Sequence, residues 1–265
     1  MLKLFRKNGP NSRKGFLIFL VLIIGELFIP GEPKLISLNT AYILTVILIA
    51  FLYLFTRLVN SISHNGKLFK EKLTLNHIQQ KLVCIIILYF VFLLIMNGNL
   101  QSIIFLSKSS PKIIVSCFAT ALGAGIFEEY FVRGYLFNLF QRILNKYNVK
   151  KYRLALISTI TSLIFGMLHL TNLDGDSSKA VFQQVFYATC IGLIFSVTRI
   201  TFNSIFVGAF LHFLFDLQVT IYQPLTADNW LNVIMLFLPI AVISILLIIS
   251  IDHLLEKNSI EFLNP

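Results

Sequence analysis

The stretch GAGIFEEYFVRGYLF, residues 123–137, sets Glu128, Glu129 and Arg133 among glycine, aromatic and aliphatic side chains. An ionisable side chain within a membrane costs free energy and is usually retained there because it has a function. What these charges do depends on two points. One is whether the chain is a membrane protein, and the other is where its remaining ionisable side chains lie.

The composition is that of an integral membrane protein. Hydrophobic residues make up 57% of the 265 residues, charged residues make up 13%, and the mean hydropathy is +0.81. A soluble domain carries about 25% charged residues, so this chain leaves no room for a large soluble domain.

Eight apolar segments are predicted to form transmembrane helices, because most of them approach the ~20 residues that a helix needs to cross the hydrocarbon core. They are continuously apolar, which favours helices over the alternating strands of a membrane barrel. The segments cover residues 15–29, 41–58, 82–106, 112–137, 154–170, 180–198, 203–222 and 231–251. The third has a polar tail, NGNLQS, so its helix can end near Met96. The sequence thus predicts an all-α polytopic bundle that forms one integral membrane domain, residues 1–265.

Loop charges predict the orientation of this bundle. The segments on the same side of the membrane as the N-terminus hold sixteen of the 22 lysines and arginines, and Arg199 is one of them. The loops on the opposite side hold four. Cytoplasmic loops are enriched in basic residues, so both termini are predicted to be cytoplasmic in a multi-pass protein of the cell membrane. The excess of basic residues in the cytoplasmic loops, which face the lipid bilayer surface, then accounts for the net charge of +10. No nucleic acid partner is therefore expected.

Helical spacing assigns different partners to the ionisable residues within the spans. Glu129 and Arg133 are four residues apart on one helix face, which predicts an ion pair. Glu128 is rotated by about 100° from Glu129 and has no partner on its own helix, which suits a general base. His212 and Asp216 are also four residues apart, so the carboxylate can orient the imidazole.

His169 contributes a second imidazole from a third span, within FGMLHLTN. Each of these groups taken alone has a structural explanation, such as a contact that stabilises a helix pair. Their occurrence on three separate spans favours one polar chamber. The predicted depths of the two histidines oppose this chamber. His212 lies about 13 Å from the inner end of its predicted span, whereas His169 lies about 22 Å from the inner end of its own.

Three short patterns occur in order on these spans: EEYFVR matches EExxxR, FGMLH matches FxxxH, and HFLFD matches HxxxN/D. In this respect residues 115–220 resemble the CPBP intramembrane proteases, also called Abi or CAAX-protease-like. This family includes the prenyl-protein endopeptidase of eukaryotes and archaea.

The resemblance implies roles for four residues. Glu128 would activate a water molecule, and His169 would assist the proton transfer or orient that water. His212 and Asp216 would stabilise the oxyanion or complete the polar site, with Glu129 and Arg133 as structural support. The family often has Asn at the position of Asp216. An ionised Asp accepts hydrogen bonds but does not donate them, which weakens an oxyanion role here.

The cofactor is left open by this sequence. Glu128, His169, His212 and Asp216 have the donor chemistry of a zinc site, as the description of the family as metalloproteases implies. A carboxylate that activates water beside a histidine needs no metal, and both mechanisms fit the motifs equally.

The predicted function is therefore that of an endopeptidase that cleaves a membrane-associated protein or peptide, such as a peptide pheromone or bacteriocin. One alternative is a non-catalytic membrane scaffold or bacteriocin-immunity protein with the same fold. A small proton-coupled transporter is a weaker alternative, because such proteins have repeated halves. Here the ionisable residues of the spans are concentrated between residues 123 and 216. The sequence indicates no oligomeric state.

Overall fold

The computed structural model describes residues 36–219, 223–258 and 262–263. Within these ranges the chain is helical, which confirms the predicted fold class of a polytopic membrane bundle. The α-helices are α1 (Leu38–Asn60), α2 (His77–Met96), α3 (Asn99–Leu106), α4 (Pro111–Glu129), α5 (Phe137–Lys146), α6 (Arg153–Leu168), α7 (Ser178–Thr201), α8 (Ile205–Asp216) and α9 (Trp230–Asn258). A π-helical turn, Tyr130–Leu136, joins α4 to α5, and α6 continues as a 3₁₀ turn, His169–Asp174.

Local sequence sets several helix boundaries. Ser37 caps α1 by accepting a hydrogen bond from Thr40 N. Asn76 and Gln79 form a capping box at the start of α2. Pro111 opens α4, where its missing N–H costs nothing. Gly98, with φ of 81°, ends the path of α2 and separates it from α3.

Six helical segments in the described ranges are long and apolar enough to cross a membrane. They correspond to six of the eight predicted spans, and the predicted span 15–29 lies outside the described residues. The helix that contains residues 112–137 is longer than expected, because α4, the π turn and α5 run without interruption from Pro111 to Lys146. The prediction of a full span at 203–222 is wrong, since α8 has only 12 residues. That length is about 18 Å.

The turn before α8 is buried beneath another segment of the chain, which explains how a short helix fits in the bundle. Asn203 Oδ1 accepts hydrogen bonds from Leu68 N at 2.7 Å and Phe69 N at 3.1 Å, and its Nδ2 donates to Phe69 O. Phe69 in turn pairs with Phe262 in an isolated antiparallel bridge. We call this side of the molecule, where residues 61–76, 147–152 and 202–204 lie, the basic end.

A shared contact with Phe165 brings the two histidines close together despite the difference in their predicted depths. Phe165, in α6, contacts the ring of His212, in α8. Phe165 is about 18 Å along its helix from Arg153, and His212 is about 10 Å along its helix from Ile205. Phe165 also contacts the ring of His169, one turn further along the chain, so both imidazoles pack against the same phenylalanine.

Side chains divide between the bundle interior and an apolar outer surface. Phe90, Phe137 and Phe195 are buried in the central cluster. Outward-facing residues of α1 such as Val46 and Leu54 are 66% and 67% exposed, as expected for contact with lipid. Arg199 does not lie in a basic loop, as the sequence predicted, but inside α7 with 1% of its surface exposed.

The orientation of the basic end is a testable prediction. Reporter domains inserted between residues 61 and 76 should remain cytoplasmic, because this segment holds Lys67, Lys70 and Lys72. Reporters inserted between residues 223 and 229 should be external. A paired alkaline phosphatase and fluorescent protein assay measures both, and the reverse pattern at both sites would contradict the topology.

Candidate active site

A buried ion pair forms the base of the site. Arg133 Nη1 donates to Glu129 Oε1 at 2.7 Å, and the two side chains are 1% and 0% exposed. Arg133 Nη2 donates to the carbonyl of Gly192 in α7 at 2.8 Å. The guanidinium also lies over the rings of Phe165 and Phe195, at 4.7 and 5.5 Å from their centroids. The ion pair predicted from the spacing is therefore present, and it is enclosed by α7 and by two aromatic rings.

His212 stands among three carboxylates. Its Nε2 is 3.1 Å from Asp216 Oδ2 and 4.0 Å from Glu128 Oε2, and its Nδ1 is 3.4 Å from Glu129 Oε1. The contact with Asp216 follows from the helical spacing. The contact with Glu129 does not, because it joins α4 to α8. Glu129 Oε1 thus contacts both Arg133 and His212.

Two phenylalanines fix the orientation of the imidazoles. Phe165 meets His169 and His212 edge-on, at centroid distances of 5.2 and 5.5 Å, so both imidazoles pack against one ring. Phe195 stacks on His212 at 5.1 Å. His169 Nδ1 is 3.0 Å from the carbonyl of Phe165. Phe165 opens the FxxxH pattern, whereas nothing in the sequence distinguishes Phe195 from the other phenylalanines.

Exposure separates the two adjacent glutamates. The side chain of Glu128 is 32% exposed and that of Asp216 is 24% exposed, whereas Glu129 has no exposed surface. Glu128 and Asp216 therefore keep part of their surface outside the packed interior, whereas Glu129 does not. The two glutamates differ in this way because adjacent helical residues point about 100° apart.

Close backbone packing brings α4 and α8 together one turn before the glutamates. A Cβ atom on Gly125 would lie 2.6 Å from Phe213 N and 2.8 Å from Ala209 O. A side chain larger than hydrogen would therefore separate the two backbones. Gly125 therefore lets the two helix backbones meet, as small residues do between membrane helices.

The end of α8 is held from α3. Asn99 Nδ2 donates to the carbonyls of Leu214 and Phe215, at 2.7 and 2.9 Å. These bonds satisfy carbonyls of the last turn of α8, which also carries Asp216. The polar tail NGNLQS therefore includes a side-chain cap for the helix that bears His212. The sequence showed the polar residues but not their partner, which lies more than 110 positions away.

The donor set does not fit a metal ion in this arrangement. A zinc ligand needs a nitrogen or oxygen lone pair directed at the metal. Both nitrogens of His212 face carboxylate oxygens, at 3.1 and 3.4 Å, and either contact would have to break first. Across the described ranges, no three His, Cys, Asp or Glu side chains converge as metal ligands.

The comparison with known proteins agrees with the three motifs. Residues 110–218 match a family model described as type II CAAX prenyl endopeptidase Rce1-like. The match covers α4, α6 and α8, which carry the ionisable cluster, and it confirms the family resemblance seen in the sequence. The chain matches no curated protein sequence and no solved structure.

Gly125→Ala tests whether close contact of α4 and α8 supports the site. We expect the added methyl group to destabilise the fold by about 1–3 kcal/mol, as overpacking does. The measurement is the thermal midpoint of the purified protein in detergent. Gly175→Ala is the matched control, because a Cβ there has no atom within 4 Å. Equal midpoints for the two variants would contradict the packing argument.

Proposed function

We propose that this protein, whose residues 110–218 form an Rce1-like domain of the CPBP family of membrane proteases, hydrolyses a peptide bond in a membrane-associated protein or peptide. The favoured location is the cell membrane. The observation that carries the proposal is the relation of Glu128 to His212. A partly exposed carboxylate faces a buried imidazole across 4.0 Å, on a different helix.

The separation suits a water molecule. A distance of 4.0 Å is too long for a direct hydrogen bond, and a bridging water commonly occupies such a gap. Glu128 is the general base in this mechanism. It takes a proton from the water as the water oxygen attacks the carbonyl carbon of the substrate, and it later returns the proton to the departing amine.

His169 orients the attacking water. Its Nδ1 is within hydrogen-bond distance of a carbonyl, which accepts but does not donate, so Nδ1 carries the proton in this contact. In the neutral ring Nε2 is then an acceptor, which can hold one hydrogen of the water. This argument favours orientation of the water over the other role that the family resemblance implies.

His212 supplies an N–H group on the same side as Glu128, and Asp216 holds its ring. Ionised Asp216 accepts from His212 and has no proton to offer a developing oxyanion. We therefore assign Asp216 a positioning role. His212 donates to a developing oxyanion only after its Nε2–H turns from Asp216 Oδ2, because this nitrogen carries a single N–H. Glu129 and Arg133 are not reached by water, and they fix the ring of His212 from the other side.

The substrate class follows from the location of the cluster in a membrane bundle. A peptide must approach from the bilayer or from its surface, so a membrane-associated peptide such as a pheromone or bacteriocin precursor is favoured over a soluble protein. A metal-dependent mechanism does not fit this arrangement, because both ring nitrogens of His212 lie next to carboxylate oxygens.

Glu128→Gln separates chemistry from packing, because it keeps the size of the side chain and removes its basic group. We expect the rate of peptide cleavage to fall by about 10²–10⁴-fold, the usual contribution of a general base. The assay is mass-spectrometric detection of fragments from a panel of membrane peptides, with purified protein in detergent. His169→Ala should also be strongly impaired, and Asp216→Asn should be milder.

Glu256→Gln is the matched control, because Glu256 is an exposed carboxylate near the end of α9. It should cleave at the native rate, and protein amounts and thermal midpoints should be alike for all variants. Native activity in Glu128→Gln would reject the mechanism and leave a non-catalytic scaffold as the better account.

A further inference from the structure

Arg199 is a second fully buried arginine, and the proposed chemistry does not use it. It lies in α7 with 1% exposure, and no carboxylate in the described ranges forms an ion pair with it. Its guanidinium instead donates to main-chain carbonyls: Nε to Arg133 O at 3.2 Å, and Nη1 to Gly66 O. Burial of a charge without a counter-charge is costly, so its partners indicate what the residue does.

Arg133 lies in the π turn, Tyr130–Leu136. Such turns interrupt the regular pairing of helix N–H and C=O groups and occur frequently at functional sites. Here two successive carbonyls receive side-chain donors: Arg133 O from Arg199 Nε, and Gly134 O from Asn138 Nδ2 at 2.8 Å. Both donor side chains are buried. The π turn is therefore supported by polar side chains and not by the helix alone.

Helix α7 holds Arg133 at two points. Gly192 O accepts from the Arg133 side chain, and Arg199 donates to the Arg133 main chain. Gly192 and Arg199 are seven residues apart, about two turns, so they lie on the same face of α7. A Cβ on Gly192 would be 2.7 Å from Arg133 Nη2, so a larger residue there would displace the guanidinium. The main chain and side chain of Arg133 are thus fixed by one helix face.

The same guanidinium reaches the basic end of the bundle. Gly66, its second acceptor, has φ of +75°, and the preceding Asn65 has φ of +54°. A non-glycine residue in this region is held there by its surroundings. Arg199 therefore joins the π turn beneath the site to the segment that covers the start of α8.

We propose that Arg199 is a positioning residue: it holds the π turn so that Arg133 directs Glu129 toward His212. Its importance for catalysis rests on the proposed peptidase function. Its effect on the environment of His212 does not, because that effect follows from contacts within the folded protein.

The first test uses the signal of His212 in NMR spectra of protein labelled with ¹³C at histidine Cε1, in detergent. Loss of one signal in His212→Gln assigns it. In Arg199→Met the donors to Arg133 O and Gly66 O are lost, and we expect the His212 signal to shift while the signals of His77 and His253 stay in place. His64 is close to Gly66, and His169 packs on Phe165 beside Arg133, so their signals are not used as references. Arg142→Met is the matched control, because Arg142 is another arginine near Tyr135 of the π turn, but it donates to Ile62 O and not to a carbonyl of the turn.

A folded Arg199→Met protein with the native His212 signal would overturn the proposal, as would an equal shift in Arg142→Met. If Arg199→Met does not accumulate, Arg199→Gln decides by the same comparison, since one amide cannot bridge both carbonyls. Failure of both variants to fold, with Arg142→Met folded, would identify a folding determinant and also overturn the positioning role.

The second readout applies once a cleaved peptide is known. Displacement of the Glu129–His212 contact should lower kcat by about 10-fold to 100-fold, as small misplacements of catalytic groups do, with little change in KM. A matching rise in KM at constant kcat would contradict the role. If no peptide is cleaved by the native protein, the proposed function fails while the NMR result still stands.

Discussion

The buried ion pair of Glu129 and Arg133 is the interaction on which the arrangement of the site depends. Neither charge has access to water, so each must be compensated within the protein. Arg133 meets this requirement with Glu129, the carbonyl of Gly192 and two aromatic rings, and Glu129 extends the network to His212. In this way one pair on a single helix connects α4, α7 and α8.

The pair also gives two adjacent glutamates different environments. Glu129 is fully buried and paired with Arg133, whereas Glu128 keeps part of its surface exposed. A catalytic carboxylate in a membrane needs both conditions: a path for water and a local structure that does not collapse onto it. The helix supplies this difference simply through the rotation between successive residues.

The sequence predicted the interactions that depend on helical spacing and missed those that depend on contacts distant in the chain. The pairs Glu129–Arg133 and His212–Asp216 followed from positions four residues apart, and six spans followed from apolar length. The prediction of a span at 203–222 was wrong because apolar residues precede and follow α8 in the sequence. Only the contact of Asn203 with Leu68 and Phe69 shows that α8 begins inside the bundle.

Arg199 shows the same limit more clearly. Its position next to the predicted span 180–198 favoured an inner loop, where a basic residue agrees with the cytoplasmic excess of positive charge. Its acceptors are carbonyls at positions 66 and 133, and no local pattern marks them. Phe195 and Asn99 were missed for the same reason, since an aromatic wall and a helix cap are defined by their partners.

A double-mutant cycle on the ion pair tests the central claim most directly. Glu129→Gln and Arg133→Met each leave one charge buried without its partner, and the double variant removes both charges. The account predicts that the double variant melts above either single variant in detergent, with a coupling of at least about 1 kcal/mol. Losses of stability that simply add in the double variant would contradict it.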